Sequence, residues 1–250
     1  MTNIALPSVQ SLLIEMRFDG QPLSTGTAFV SMGRSGTPYL ITNRHNVTGR
    51  YQNANTPLSK TGGIPNEIVV HHNSDAGLGN WVAKTQRLAN EAGQPTWIEH
   101  PTLGKVADFV ALPVTELLGI QIHSYDCFNP GTPLLLAPAE TISVIGFPFG
   151  MTAGGFLAVW ATGFLASEPA VNFNNLPIQL IDCRSRAGQS GSPVVAYRHG
   201  VGYTTTNGST INNGIPAQRL LGIYSGRINE ESDLGIVWKV EAIAELLQNV

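Results

Sequence analysis

The stretch Ala187-Gly188-Gln189-Ser190-Gly191-Ser192-Pro193 constrains this chain more than any other. It is short, glycine-rich and centred on one serine, and the apolar, strand-like run Pro193-Val194-Val195-Ala196-Tyr197 follows directly. Glycine at 188 and 191 permits backbone angles that a side chain resists, so the turn can be tight and still expose Ser190. Such a turn can also aim the amide N–H groups of Gly188 and Ser190 at one point, where an oxyanion would be stabilised. Gly-Ser runs are common in linkers, but a linker is a poor account of this spacing between two apolar runs. Serine alone is a weak nucleophile, so the reading turns on a base and an orienting acid elsewhere in the chain.

Tyr39-Leu40-Ile41-Thr42 reads as a strand that runs straight into Asn43-Arg44-His45. His45 therefore stands at a strand end, on a rim rather than in a core. Val106-Ala107-Asp108-Phe109-Val110-Ala111-Leu112 sets one carboxylate in an otherwise apolar run. A carboxylate there costs free energy unless it is paired, and a histidine partner accounts for it best. His45, Asp108 and Ser190 thus form a candidate catalytic set. His45 would take and return the Ser190 proton, and Asp108 would hold the imidazole tautomer.

The rest of the chain reads as all-β. Charged residues make up only 12%, with 27 glycines and 16 prolines, the mark of many short strands joined by tight turns. Residues 10–18 lead into the hairpin signal Asp19-Gly20, and a strand is expected at 25–30. Further strands are expected at 67–70, 81–84 and 96–99, and then at Leu134-Leu135-Leu136, 142–146, 157–165, 178–183, 193–197, 220–226 and 234–238. The polar stretches 51–64 and 202–214 read as loops. Val240, Ile243, Ala244 and Leu247 share one helical face, with Glu241 and Glu245 off it, so a terminal helix should pack on a barrel. The expected organisation is an N-terminal β half over 1–115 carrying His45 and Asp108, and a linker over 116–131. A C-terminal β half over 132–238 carries Ser190, and the helix occupies 239–250.

A net charge of −3 and a pI near 6.0 leave no basic footprint for nucleic acid. Neither a secretory signal nor an apolar run long enough to span a bilayer is visible. Cys127 and Cys183 form no disulfide framework and read as reduced core residues, which fits a cytoplasmic chain. In that setting the sequons at Asn46 and Asn207 carry nothing. His71, His72 and Asp75 match no standard metal spacing and read as a solvated loop. No metal or cofactor is expected, and a monomer is the default, with no regulatory partner specified.

Taken together, these residues make the sequence resemble the trypsin-like (chymotrypsin-fold) serine peptidases, most of all bacterial members without disulfides. The resemblance rests on Gly26-Thr27-Ala28-Phe29, Leu40-Ile41-Thr42-Asn43-Arg44-His45, Ala107-Asp108-Phe109-Val110-Ala111-Leu112 and Gly188-Gln189-Ser190-Gly191-Ser192-Pro193, and spans about residues 23–238. It implies two perpendicular six-stranded antiparallel β-barrels with the active site in the cleft between them. It also implies hydrolysis of protein or peptide substrates through an acyl-enzyme, with the Gly188 and Ser190 amides as oxyanion hole. Ile223-Tyr224-Ser225-Gly226 resembles the strand that pairs with substrate backbone and walls the specificity pocket. An α/β-hydrolase is the competing serine fold, but it wants glycine where Ser192 stands and both partners after the serine.

Two departures from the family carry expectations. Gln189 replaces the aspartate that digestive relatives pair with a new N-terminus, so the site should need no N-terminal processing. Arg184, six residues before Ser190, would stand at the pocket base with Arg186 nearby and favour an acidic residue before the cleaved bond. Tyr224 argues the other way, because it replaces the histidine of Glu-specific relatives. The alternatives to an endopeptidase are a catalytically silent module that binds a peptide or partner protein, and an esterase limited to small acyl substrates.

Overall fold

The computed structural model describes residues 4–52, 54–229 and 231–250. The first three residues and Asn53, in the polar stretch 51–64, lie outside the described residues. A short helix α1 (Pro7–Gln10) precedes β1 (Ser11–Phe18) and β2 (Gln21–Met32). Asp19 and Gly20 join these strands with φ of 46° and 78°, the paired left-handed angles of a tight hairpin turn. Next come β3 (Pro38–Thr42), α2 (Arg44–Thr48), β4 (Glu67–Asn73), β5 (Trp81–Arg87), β6 (Ile98–Glu99) and β7 (Val110–Pro113). These strands form one antiparallel sheet in the order β5-β4-β1-β2-β3-β7-β6. A closed six-stranded barrel was the expectation; instead the ladder ends at β5 and β6. Residues 88–97 cross that gap, with the Thr96 N–H donating to the Leu88 carbonyl at 3.1 Å.

The second half contains β8 (Thr141–Gly146), β9 (Val159–Leu165), β10 (Ile178–Asp182), β11 (Pro193–Arg198), the small hairpin β12 (Tyr203–Thr204) and β13 (Thr210–Ile211), β14 (Ala217–Arg227) and β15 (Leu234–Lys239). Six of these strands close as a barrel in the order β10-β15-β14-β11-β8-β9. The hairpin lies where a plain loop was expected. Leu134-Leu135-Leu136 forms no strand: Leu134 makes an isolated bridge to Thr205, and Leu135 stays 53% exposed. An apolar triplet without alternation cannot distinguish a strand from a plugging loop.

The connection between the halves, residues 114–140, contains no strand of the two sheets; its first part, through Tyr125, bonds to the first sheet, and residues 130–135 bond to the second half. The Tyr125 N–H donates to the Val30 carbonyl, and the ring meets Phe29 edge-on at 5.5 Å. Each sheet has its own core, one built around Ile14, Leu40 and Leu112 and the other around Val144, Ile181 and Val237. A third core fuses the halves, joining Phe29, Ile41 and Phe109 to Ile145, Val195 and Trp238. Helix α3 (Val240–Leu247) feeds that shared core through Val240, Ile243 and Leu247. It also reaches across to the first half, where Thr102 donates to Glu245 at 3.1 Å and Arg34 to Gln248 at 3.1 Å. Its apolar face is wider than the sequence pattern, taking in Ala242 and Leu246, because the helix is packed against both halves. No helix among the described residues is long and apolar enough to cross a membrane.

Candidate active site

Strand register brings His45 and Asp108 together. Thr42 at the end of β3 pairs with Val110 at the start of β7. His45 lies three residues beyond one and Asp108 two residues before the other, at the same end of the sheet. His45 is not on a bare strand end as expected; it sits in the single helical turn α2. Asn43 at the N-cap position was the available signal. Its side chain turns from the helix and donates instead to the Asp108 carbonyl at 2.6 Å.

Asp108 is only 3% exposed, and its carboxylate is well supplied with donors. One oxygen accepts the His45 amide N–H at 3.0 Å. The other accepts His45 Nδ1 at 2.7 Å and the hydroxyl of Ser225. A buried carboxylate needs such compensation. In the neutral tautomer whose Nδ1–H donates to Asp108, the imidazole has the Nε2 lone pair free to accept. Ser225, expected only as substrate-binding wall, is thus also a direct partner of Asp108. The sequence motif held no sign of this, because the contact joins residues in different halves of the chain.

The serine turn is bound to the first half through its backbone. The Ser190 carbonyl accepts the Thr27 N–H at 2.9 Å and Asn46 Nδ2 at 3.2 Å, and Asn46 directly follows His45. The Thr27 hydroxyl donates to the Gly188 carbonyl at 2.9 Å and accepts the Phe147 N–H at 3.2 Å. Neither Thr27 nor Asn46 stood out in the sequence as a site residue. Gly188 and Gly191 have φ of 92° and 91°, a region L side chains avoid. A Cβ at Gly191 would lie 2.0 Å from the Thr27 carbonyl oxygen, and one at Gly188 would lie 2.4 Å from that of Phe147. Among the described residues, the N–H groups of Gly188 and Ser190 donate to no protein acceptor, and Ser190 Oγ makes no hydrogen bond. Two unpaired amides, one on either side of Gln189 and one of them that of Ser190 itself, can receive a ligand oxygen near the Ser190 hydroxyl.

Gln189 is fully buried, and its Oε1 accepts the Arg186 N–H at 2.7 Å, so the turn is tied to its own chain. Arg184, expected at a pocket base, instead faces solvent: its side chain is 85% exposed and 4.0 Å from Asp233. Tyr224 is buried, and its hydroxyl pairs with that of Ser185. Nothing lies within 4 Å of a Cβ built on Gly226, so the chain is open beside that end of β14.

His71 and His72 lie in β4 and not in a loop, on opposite faces of the strand. His71 Nε2 bonds to Glu15 at 2.7 Å, and its ring stacks on Phe156. Among the described residues, no group of three or more His, Cys, Asp or Glu side chains could hold a metal ion.

Two antiparallel β systems, with a histidine–aspartate pair on one and a glycine-bounded serine turn on the other, define the class. The chain belongs to the trypsin-like peptidase domain family, whose model matches residues 26–201. Among curated proteins, none matches its sequence significantly. Solved structures share the fold. A serine endoprotease from Yersinia pestis has a TM-score of 0.52 at 11% identity, over 99% of this chain and 68% of that one. A thermostable serine protease from an extremophilic microorganism gives 0.52 at 12% identity, over 98% of each chain. An M. tuberculosis protease in its active form gives 0.50 at 17% identity, over 96% of this chain and 80% of that one.

Proposed function

We propose that this chain is a serine endopeptidase in which His45, Asp108 and Ser190 act as a catalytic triad. One observation carries the reading. The buried Asp108 carboxylate is engaged twice by His45 and once by Ser225, while two amides beside Ser190 stay unpaired. In the proposed reaction Ser190 Oγ attacks the scissile carbonyl carbon and gives its proton to His45 Nε2. Asp108 stabilises the imidazolium, and the Gly188 and Ser190 N–H groups receive the oxyanion. Collapse breaks the C–N bond, and the imidazolium returns its proton to the departing amine. Water, deprotonated by His45, then attacks the ester carbon; the C–O bond to Ser190 breaks, and the imidazolium returns the proton to Ser190 Oγ. The bond between Gln189 and the Arg186 N–H supplies internally a tether that digestive relatives obtain by cleavage, so the unprocessed chain should be competent.

Intact-mass labelling with a fluorophosphonate tests this reading. The untrimmed 250-residue chain should take one label, Ser190→Ala none, and His45→Ala and Asp108→Ala should label far more slowly. No labelling of the folded, untrimmed chain, or labelling only after N-terminal trimming, would refute it. The first result would favour a silent binding module.

A further inference from the structure

We infer that a cavity in the first half, walled on one side by α2, is a binding site for a small apolar carboxylate, held by the Arg50 guanidinium and seated against Val47, Leu88 and Trp97. The inference does not rest on the peptidase reading above, because none of these residues belongs to the proposed triad.

The first sheet does not close, and residues 88–97 cross its gap. Beside that crossing lies a cavity of about 310 Å³, at the lower end of the range for small-molecule sites, about 300–1,000 Å³. Helix α2 forms one wall. Arg44, Val47 and Thr48 are spaced i, i+3 and i+4, so they share a helical face, and all three line the cavity. Asn46, off that face, reaches the Ser190 carbonyl at 3.2 Å instead. Leu88 and Trp97 of the crossing segment add an apolar wall that packs in the first core with Val47. Gly49 ends α2 with a φ of 64°, and a Cβ there would lie 2.3 Å from the Pro65 ring, which also lines the cavity. The chain is thus drawn tightly around the site.

Charge decides the ligand class. Two guanidinium groups, Arg44 and Arg50, line the cavity, and among the described residues no Asp or Glu does. Arg44 is answered by Glu99 at 2.9 Å. Arg50 makes no ion pair among the described residues. Its Nη1 donates to the Asn55 carbonyl at 2.9 Å, which orients the guanidinium and leaves Nε and Nη2 without a protein acceptor. The loop carrying that carbonyl is tied as well: Arg50 bridges Pro57, the Tyr51 N–H donates to the Thr56 carbonyl and the Asn55 N–H to the Tyr51 carbonyl, both at 2.9 Å. A guanidinium fork with two free donors takes a carboxylate through paired N–H···O bonds. The Thr48 hydroxyl in the same wall has no hydrogen-bond partner, an unmet group of the kind a ligand oxygen satisfies. One unpaired cation beside an apolar wall suits a single negative charge on an apolar body. A dianion would keep a charge uncompensated there, and a neutral ligand would leave the fork unused.

Phenylacetate titrated into the isotope-labelled chain, with phenylacetamide alongside, tests the site by NMR. The acid should bind with a Kd of about 1 mM or tighter, and the amide at least about tenfold more weakly. Amide resonances of residues 44–50, 64–66 and 88–97, which carry the lining, should move. Arg50→Gln should weaken the acid at least about tenfold without weakening the amide, and Arg50→Lys, which keeps the charge but not the fork, should fall between. A tetrapeptide ending in Phe, with its C-terminus free or amidated, separates two sources of the same group. Tighter binding of the free-ended peptide than of phenylacetate assigns the site to a chain terminus, and weaker binding to a free acid; either keeps the inference. Equal affinity for acid and amide would overturn it. So would wild-type affinity in a folded Arg50→Gln chain, no saturable binding of the acid below about 10 mM, or shifts confined to the serine turn. If Arg50→Gln does not fold, the acid and amide on the wild-type chain decide the matter. Binding here needs no turnover, so these outcomes are independent of whether Ser190 takes a fluorophosphonate label.

Discussion

The two halves hold their shares of the site by different means. The first half presents His45 and Asp108 through hydrogen bonds of their side chains, focused on one buried carboxylate. The second presents Ser190 through its backbone: Thr27 and Asn46 hold the Ser190 carbonyl, Tyr224 brackets Gly191 and Ser192, and the Ser190 hydroxyl is left free. The proposed acid–base pair is therefore preset by what one buried carboxylate accepts. The proposed nucleophile is preset by where the chain runs, and strand β2 of the other half largely decides that. Chemistry on one side and chain path on the other should respond differently to substitution.

The sharpest break comes on the chemical side. Asp108→Asn keeps the shape but gives His45 Nδ1 the wrong partner, and kcat/KM should fall about 10⁴-fold. Circular dichroism and thermal melting should show a folded chain; a loss below about tenfold would remove Asp108 from the mechanism. The counterpart on the backbone side is Gly191→Ala. It adds a Cβ 2.0 Å from the Thr27 carbonyl oxygen at a φ of 91°, and strain plus overlap should cost about 3–5 kcal/mol of stability. Urea unfolding measures it, and a cost under about 1 kcal/mol would mean that the turn relaxes freely. One change should remove rate and spare the fold; the other should damage both.

The same contrast explains what could be read in the sequence. His45, Asp108 and Ser190, the residues of the proposed site, stood out because their side chains are of the types such chemistry needs and their flanks carry apolar strand runs. The two-half β organisation and the closing helix were legible from periodicity. Thr27, Asn46 and Ser225 in its bond to Asp108 were not, because each acts on a residue of distant sequence through contacts that only the fold creates. Arg184 was misplaced for a related reason: counting six residues back from Ser190 fixes a position but not the direction of a side chain. It faces solvent, and its neighbour Ser185 is the residue turned inward. His71 and His72 looked like loop residues because polar side chains on a half-buried strand break the alternation that reveals it.

Acid should divide the halves in another way. His72 in β4 is 4% exposed, and burial, with repulsion from Lys84 and His71, lowers its pKa from 6.5 to about 4. Between those limits the unfolded chain takes a proton that the folded chain refuses. The stability gained by keeping His72 neutral is complete above about pH 6.5 and is lost as the pH falls toward 4, by at most about 3 kcal/mol. His72→Gln should flatten that acid limb in urea titrations. Hydrogen exchange at pH 5 should show the first sheet opening before the closed barrel, and an unchanged limb in the variant would assign the acid sensitivity elsewhere.

The smallest expected effect is the most discriminating, because it isolates the seam between the halves. Thr27→Val keeps the backbone N–H that holds the Ser190 carbonyl but removes the hydroxyl that donates to Gly188 and accepts from Phe147. Both lost partners are backbone groups beside the oxyanion turn, so stability should fall by about 1–2 kcal/mol. If the hydroxyl also fixes the orientation of the Gly188 peptide, kcat should drop about tenfold while KM stays within about twofold, since the oxyanion exists only in the transition state. An unchanged kcat with the same loss of stability would mean that the Thr27 N–H and Asn46 alone position the nucleophile. The seam would then be structural at its hydroxyl and functional only at its backbone.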